Sequence, residues 1–205
     1  MVICVTNSAL CKEDFLTRIT SICKAGPKFV ILREKALNKS DYYNLAKQCL
    51  DICNSHGVKL VLHTHIDTAL ALEVTAIHLP LSIFRLHPQS LKNFTTVGTS
   101  VHSVKEAILA EQLGATYLIA GHIFPTQCKA GMTPRGIPFL KDILEISHIP
   151  VYPIGGIHTD NVQTIVETGA QDFCIMSELM TCKQAEKQIK IYNQIKRANI
   201  QTKKI

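Results

Sequence analysis

Eight short apolar runs, separated by stretches of helical period, constrain this chain more than any other feature. The runs are Val2–Val5, Lys28–Leu32, Lys59–Leu62, Ala76–Leu79, Thr95–Gly98, Thr116–Ala120, Val151–Ile154 and Asp172–Ile175. Their length and aliphatic content fit strands that are covered on both faces. Helices are predicted near 13–24, 41–55, 66–72, 103–113, 137–147, 159–168 and 183–197. Ser103-x-x-Glu106 forms a capping box, and Gly114 stands where that helix would stop. Ser40 and Thr159 are predicted N-caps, with Gly57 and Gly169 as the matching stops. The link between the fourth and fifth runs contains Pro80 and Pro88 and has room for only a short helix. Strand and helix repeated eight times predict an α/β fold, a small (β/α)8 TIM barrel. It is expected to be a single domain over 1–205 with a frayed tail from about 198. The alternative is a doubly wound open sheet, but no G-x-G-x-x-G follows the first run and no P-loop occurs.

Composition removes several classes of function. No apolar stretch approaches the roughly 20 residues of a membrane span. The opening Met-Val-Ile-Cys-Val-Thr lacks the basic region of a secretory signal. The net charge of +6 is spread along the helices, apart from a basic face and tail between Lys187 and Lys204. Neither a basic stripe nor an aromatic platform is present, so nucleic acid is not an expected partner. An anionic small molecule fits the charge equally well. The eight cysteines, at 4, 11, 23, 49, 53, 128, 174 and 182, include no Cys-x-x-Cys pair. They read as reduced, mainly buried thiols of a cytoplasmic protein rather than as disulfides or zinc ligands.

In a barrel of this kind, function gathers in the loops at the C-terminal ends of the strands. The sixth run leads into Gly121-His122-Ile-Phe-Pro-Thr126-Gln-Cys128-Lys129, a loop with a histidine, a threonine and a lysine. The seventh run ends at Gly155-Gly156, read as a pair that opens a helix and offers backbone N–H groups to phosphate. Ser177 follows the eighth run, and strands 7 and 8 are where barrels often bind phosphate. Arg33 and Lys35 flank Glu34 at alternate positions after the second run, which predicts an anion site at the mouth. Lys129 is placed to close over the same ligand. Among the histidines, His78 reads as a satisfied core residue and His102 as a cap or supporting residue. His63-x-His65 could chelate, yet no carboxylate stands in a matching position, and no metal site is expected. His122 is the candidate acid/base, because histidine both takes and gives a proton near neutral pH.

At these residues the chain resembles the thiamine-phosphate synthase superfamily and, within it, the TenI-type thiazole tautomerases. The landmarks are Leu32-Arg33-Glu34-Lys35, Ile66-Asp67-x-Ala-Leu-Ala, Ile77-His78-Leu79-Pro80, Val97-Gly98-Thr-Ser100-Val-His102-Ser103, Gly121 to Lys129, and Ile154-Gly155-Gly156-Ile157. The resemblance covers nearly the whole chain and implies a (β/α)8 barrel, a role in thiamine biosynthesis, and a homodimer. A synthase uses Mg²⁺ to hold a departing pyrophosphate. The family's aspartates for that ion are replaced here, at positions occupied by His63-Thr64 and Ile83, and its glutamine two residues before the arginine is Ile31. Where synthases have proline after the strand-6 glycine, this chain has His122, as tautomerases do.

The resemblance therefore implies a metal-independent isomerase without a cofactor, acting on a phosphorylated carboxythiazole. Gly155, Gly156 and Ser177 would bind the phosphate, while Arg33, Lys35 and Lys129 would hold the carboxylate or close the site. Ser100 and Met176 complete the substrate-binding set, and His122 would carry the proton. Whether His63 and Cys128 take part is left open. A divergent synthase and a non-catalytic regulator of the thiamine pathway are the competing readings.

Overall fold

The structure, a computed structural model, describes residues 1–87 and 89–202. Pro88, the last three residues and with them Lys204 lie outside the described residues. Eight parallel strands pair in sequence order and close into a barrel. They are β1 (Val2–Val5), β2 (Phe29–Leu32), β3 (Lys59–His63), β4 (Ala76–Pro80), β5 (Thr96–Val101), β6 (Tyr117–Gly121), β7 (Val151–Ile154) and β8 (Phe173–Ile175). Outside them run α1 (Phe15–Lys24), α2 (Lys39–Ser55), α3 (Ile66–Ala71), α4 (Leu81–Phe84), α5 (Val104–Gln112), α6 (Gly136–Ile146), α7 (Val162–Glu167), α8 (Ser177–Thr181) and α9 (Ala185–Thr202). No helix among the described residues is long and apolar enough to cross a membrane.

Helix boundaries differ from expectation where a better capping group stands nearby. The N-cap of α2 is Asn38, not Ser40, because the Asn38 side chain accepts a hydrogen bond from the Asp41 N–H at 2.9 Å. The Ser103 cap is as expected, its hydroxyl accepting from the Glu106 N–H at 3.2 Å. Glu106 reaches back one residue further than a regular box, to the N–H of His102 at 2.6 Å. Thr159 caps nothing: α7 starts three residues later. The helix α9 continues to Thr202, beyond the expected end at 197.

Strand alternation sorts the side chains. Val2 and Cys4, Val30 and Leu32, and Leu60 and Leu62 join the outer core, where the helices pack. On α2 that contact comes from Tyr42, Ala46, Cys49 and Cys53, one face at helical spacing. The opposite parity fills the barrel with Ile3, Val5, Phe29, Ile31, Val61, Ala76, Tyr117, Ile119, Tyr152 and Cys174. Of the cysteines, Cys4, Cys23, Cys49, Cys53 and Cys174 are buried and Cys128 is exposed; all eight are free thiols.

Three rings make the barrel floor. Phe29, Tyr117 and Tyr152 lie 5.5 to 5.8 Å apart, centroid to centroid, in tilted and edge-on pairs. Gly98 exists to admit them: a Cβ there would lie 1.9 Å from the Tyr117 ring. Above the floor sits a polar layer of His63 and His78, whose rings stack 5.6 Å apart. His78 Nδ1 bonds the Tyr117 hydroxyl at 3.1 Å and Nε2 the Ser100 hydroxyl at 2.9 Å, so this core histidine is satisfied on both sides. Burial pushes its basicity well below that of an ordinary histidine. For His63, burial first and then the charges of Arg33 and Lys35 push the pKa down to about 3.

Two consequences are measurable. Gly98→Ala must displace the Tyr117 ring and with it the His78 contact, so urea unfolding should show a loss of about 1–3 kcal/mol, the usual cost of overpacking. The histidine layer should make the protein acid-labile. An unfolded histidine titrates near 6.5, so below that pH the unfolded chain binds a proton that His63 in the native state refuses. Stability should therefore fall as pH drops through 6.5, by up to about 1.4 kcal/mol per pH unit for each such group. Urea midpoints between pH 7.5 and 5 should track this, and His63→Asn should flatten the slope.

Candidate active site

At the C-terminal ends of the strands the barrel opens into a cavity of about 470 Å³. All nine residues singled out from the sequence line it: Arg33, Lys35, Ser100, His122, Lys129, Gly155, Gly156, Met176 and Ser177. Parity explains the first of them. Phe29 and Ile31 point into the barrel, so Arg33 and Lys35 continue the same row into the mouth. Glu34 turns the other way. Its carboxylate accepts from the Thr6 hydroxyl at 2.6 Å, the Ser8 N–H at 2.9 Å and the Ser8 hydroxyl at 2.6 Å, tying the β2 loop to the β1 loop. The expected grouping of two cations on one side, away from the carboxylate between them, is what the chain adopts.

Among the described residues, no carboxylate pairs with Arg33, Lys35 or Lys129. Each sits within the field of another: the Arg33 charge, then burial, then Lys129 lower the pKa of Lys35 below that of an ordinary lysine. Three mutually repelling cations in a concave site attract an anion, whose binding relieves the repulsion.

His122 is held from two sides. It is buried, follows a cis peptide bond after Gly121, and lies at the start of a loop pinned to β7. The Ile123 N–H donates to the Ile154 carbonyl and the Phe124 N–H to the Gly155 carbonyl, both at 2.9 Å. The far end of the loop returns to the same place, where the Arg135 N–H donates to the His122 carbonyl at 2.9 Å. His122 Nε2 faces the Met132 carbonyl oxygen at 3.3 Å. A carbonyl only accepts, so in the neutral ring Nε2 carries the hydrogen and Nδ1 keeps the lone pair.

The glycine pair differs from expectation. Gly155 and Gly156 open a turn, not a helix; α7 begins at Val162, and Asn161 shapes the intervening loop. Asn161 accepts from the His158 N–H and donates to the Gly156 carbonyl, both at 2.8 Å. The two glycines have φ of +100° and +66°, and a Cβ on Gly155 would lie 2.3 Å from the His122 Cβ. A Cβ on Gly156 would lie 2.4 Å from the Pro125 carbonyl oxygen. Both residues are therefore glycine because the His122 loop presses on them and the backbone is left-handed. The helix-terminus argument for phosphate falls away. What remains is turn backbone that lines the cavity together with Ser177, the first residue of α8. The Ser177 hydroxyl lies 3.3 Å from the Cys128 thiol, so the β6 loop spans the mouth.

The donor set does not suit a hard divalent cation. The carboxylates that line the cavity are Glu106 and Glu178. Glu106 is engaged with the His102 N–H, and Glu178 accepts from Gln188 at 2.8 Å and from the Tyr192 hydroxyl. Among the described residues no three His, Cys, Asp or Glu side chains converge in a way that would hold a metal. A site of imidazoles, ammonium groups and a guanidinium repels Mg²⁺ rather than replacing its water. His65, half-exposed, stacks on Tyr42 at 3.8 Å instead of joining His63 as a chelate.

Sequence reasoning placed Glu178 in the loop after the eighth run without giving it a role, and it overlooked His158, which lines the cavity from the loop after β7.

Comparison with known proteins agrees with this architecture. A family model described as thiamine monophosphate synthase (TMP-TENI) matches residues 2–179. The thiamine-phosphate synthase 2 of Streptococcus pneumoniae is 34% identical over 181 residues, covering 85% of this chain and 84% of its own. The thiamine-phosphate synthase of Clostridium acetobutylicum is 31% identical over 198 residues, covering 95% and 94%. A solved structure, the thiamine phosphate pyrophosphorylase from Pyrococcus furiosus, superimposes with a TM-score of 0.83 at 25% identity over 96% of this chain and 95% of that one. The barrel, its cavity and these relatives together place the chain in the thiamine monophosphate synthase family.

Proposed function

We propose that this member of the family is a thiazole tautomerase, which aromatises a carboxythiazole phosphate by moving one proton. The observation that carries the reading is a clamped imidazole, His122, in a cavity whose cations lack carboxylate partners among the described residues and whose carboxylates are already engaged. The reaction needs a base for the ring carbon that bears the carboxylate and an acid for the exocyclic alkenyl carbon. His122 Nδ1 serves first as the one and then as the other. The Met132 carbonyl at Nε2 keeps the ring in the tautomer that leaves Nδ1 free and supports the imidazolium between the two transfers. Arg33, with Lys35 and Lys129, meets the substrate carboxylate, and the Gly155–Gly156 turn with Ser177 receives the phosphate. Electron density pushed into the carboxylated ring carbon as the proton leaves is stabilised by those cations.

The second reading is a thiamine-phosphate synthase, which joins a pyrimidine pyrophosphate to a thiazole phosphate. The names of the relatives favour it, and Arg33, Lys35 and Lys129 would suit a pyrophosphate. Against it stand the replaced aspartate positions, where this chain has His63-Thr64 and Ile83.

Purified protein given fresh non-aromatic carboxythiazole phosphate in the presence of EDTA should accelerate its aromatisation. His122→Ala should remove about 10²–10⁴ of that acceleration. A rate no faster than the spontaneous one, together with thiamine phosphate formed from the two synthase substrates and Mg²⁺, would replace this reading with the second.

A further inference from the structure

We propose that His158, paired with Glu178, supplies the side-chain cation that recognises phosphate at the Gly155–Gly156–Ser177 end of the cavity. The inference rests on reading that end as the phosphate end.

Charge is distributed unevenly around the mouth. Arg33 and Lys35 stand at the β2 end, and Lys129 lies between the two ends, acting on Lys35 while its neighbour Cys128 reaches Ser177. At the β7–β8 end the glycine turn and the Ser177 hydroxyl are neutral, and Glu178 follows Ser177 directly. A phosphate bound there by backbone and hydroxyl alone would sit beside an uncompensated carboxylate. Like charges so placed oppose binding unless a cation lies between them. His158 lines the cavity at that place, with its Nδ1 3.8 Å from Glu178 Oε2.

The pair is built into the loop scaffold. Asn161 fixes the His158 backbone and the Gly156 carbonyl with hydrogen bonds of 2.8 Å each. Gln188 and the buried Tyr192, both on α9, hold the Glu178 carboxylate. Among the described residues His158 Nε2 has no partner, which leaves one N–H for a ligand when the ring is protonated. The other charged or titratable groups around this end are Asp160 on the same loop, Tyr192 on α9, and Cys128 and Lys129 on the β6 loop. A protonated imidazole with one nitrogen toward a carboxylate and the other toward a phosphate oxygen makes a charge-assisted bond. A plain surface ion pair, the competing account of a side chain 52% exposed, would contribute little to binding anything.

Calorimetric binding separates the two, with the aromatic carboxythiazole phosphate, its dephosphorylated form and inorganic phosphate as probes. His158→Gln should weaken the phosphorylated ligand and inorganic phosphate about tenfold or more, the effect of losing one charge-assisted hydrogen bond. It should leave the dephosphorylated thiazole unchanged, and His158→Lys should restore most of the loss. Unchanged binding of the phosphorylated ligand in His158→Gln would overturn the proposal, as would equal weakening of both thiazoles. Because binding rather than turnover is measured, the tautomerase reading can fail separately. Wild-type protein that binds phosphate without binding the thiazole would remove that reading and keep the role of His158. Wild-type protein that binds none of the probes would remove both.

Discussion

Alternation along eight parallel strands is the constraint on which everything else in this molecule depends. One parity faces the helices and must be aliphatic; the other faces the barrel axis and must fill it. Because the strands close on themselves, the inward rows converge at the mouth. Phe29 and Ile31 lead to Arg33 and Lys35, Ala76 leads to His78, and Gly98 leads to Ser100 and His102. A site made of residues far apart in sequence thus needs no long-range device beyond the register of the sheet.

The same geometry forces polar groups into a dry interior, and the chain satisfies them in layers. Tyr117 lies among aromatic rings on one side and bonds His78 on the other; His78 passes the connection to Ser100 at the cavity wall. Tyr42, on the helix side, donates to the Leu32 carbonyl at 2.7 Å and accepts from the His63 N–H at 3.1 Å, linking α2 to the two strand ends that carry Arg33 and His63. These groups stay neutral because burial disfavours their charged forms. A neutral histidine layer beneath three cations leaves the positive charge concentrated at the rim, where an anion can reach it.

What could be read from the chain follows from how local each signal is. The eight strands and most helices were legible because apolar period and Gly stops act within a few residues. The Arg33–Lys35 grouping was legible because parity is fixed by the strand before it. The glycine pair was misread as a helix start, since a left-handed turn and a helix N-terminus both call for glycine. Only the contact with His122 and Pro125, from a loop thirty residues away, tells them apart. Likewise α8, five residues long, has no periodic pattern to detect. The Asn38 cap won over Ser40 by accepting from the Asp41 N–H three residues on, a bond whose equivalent for Ser40, to Tyr43, the sequence offers just as well.

Within this family the electrostatics of the cavity decide what chemistry is open. A site that ionises a pyrophosphate ester must neutralise several developing negative charges, and a dication held by carboxylates does so with one ion. This cavity does the reverse: its cations are permanent, its carboxylates are engaged, and at the end of β3 it carries His63 rather than a carboxylate. Such a field suits the proposed substrate, which brings its own fixed negative charges at two ends, and the proposed step, in which negative charge grows only briefly on a ring carbon while a proton is in transit. On that reading the clamp on His122 is what the step requires, because moving one proton between two carbons of a bound ring needs a base that is fixed in place and keeps one nitrogen free.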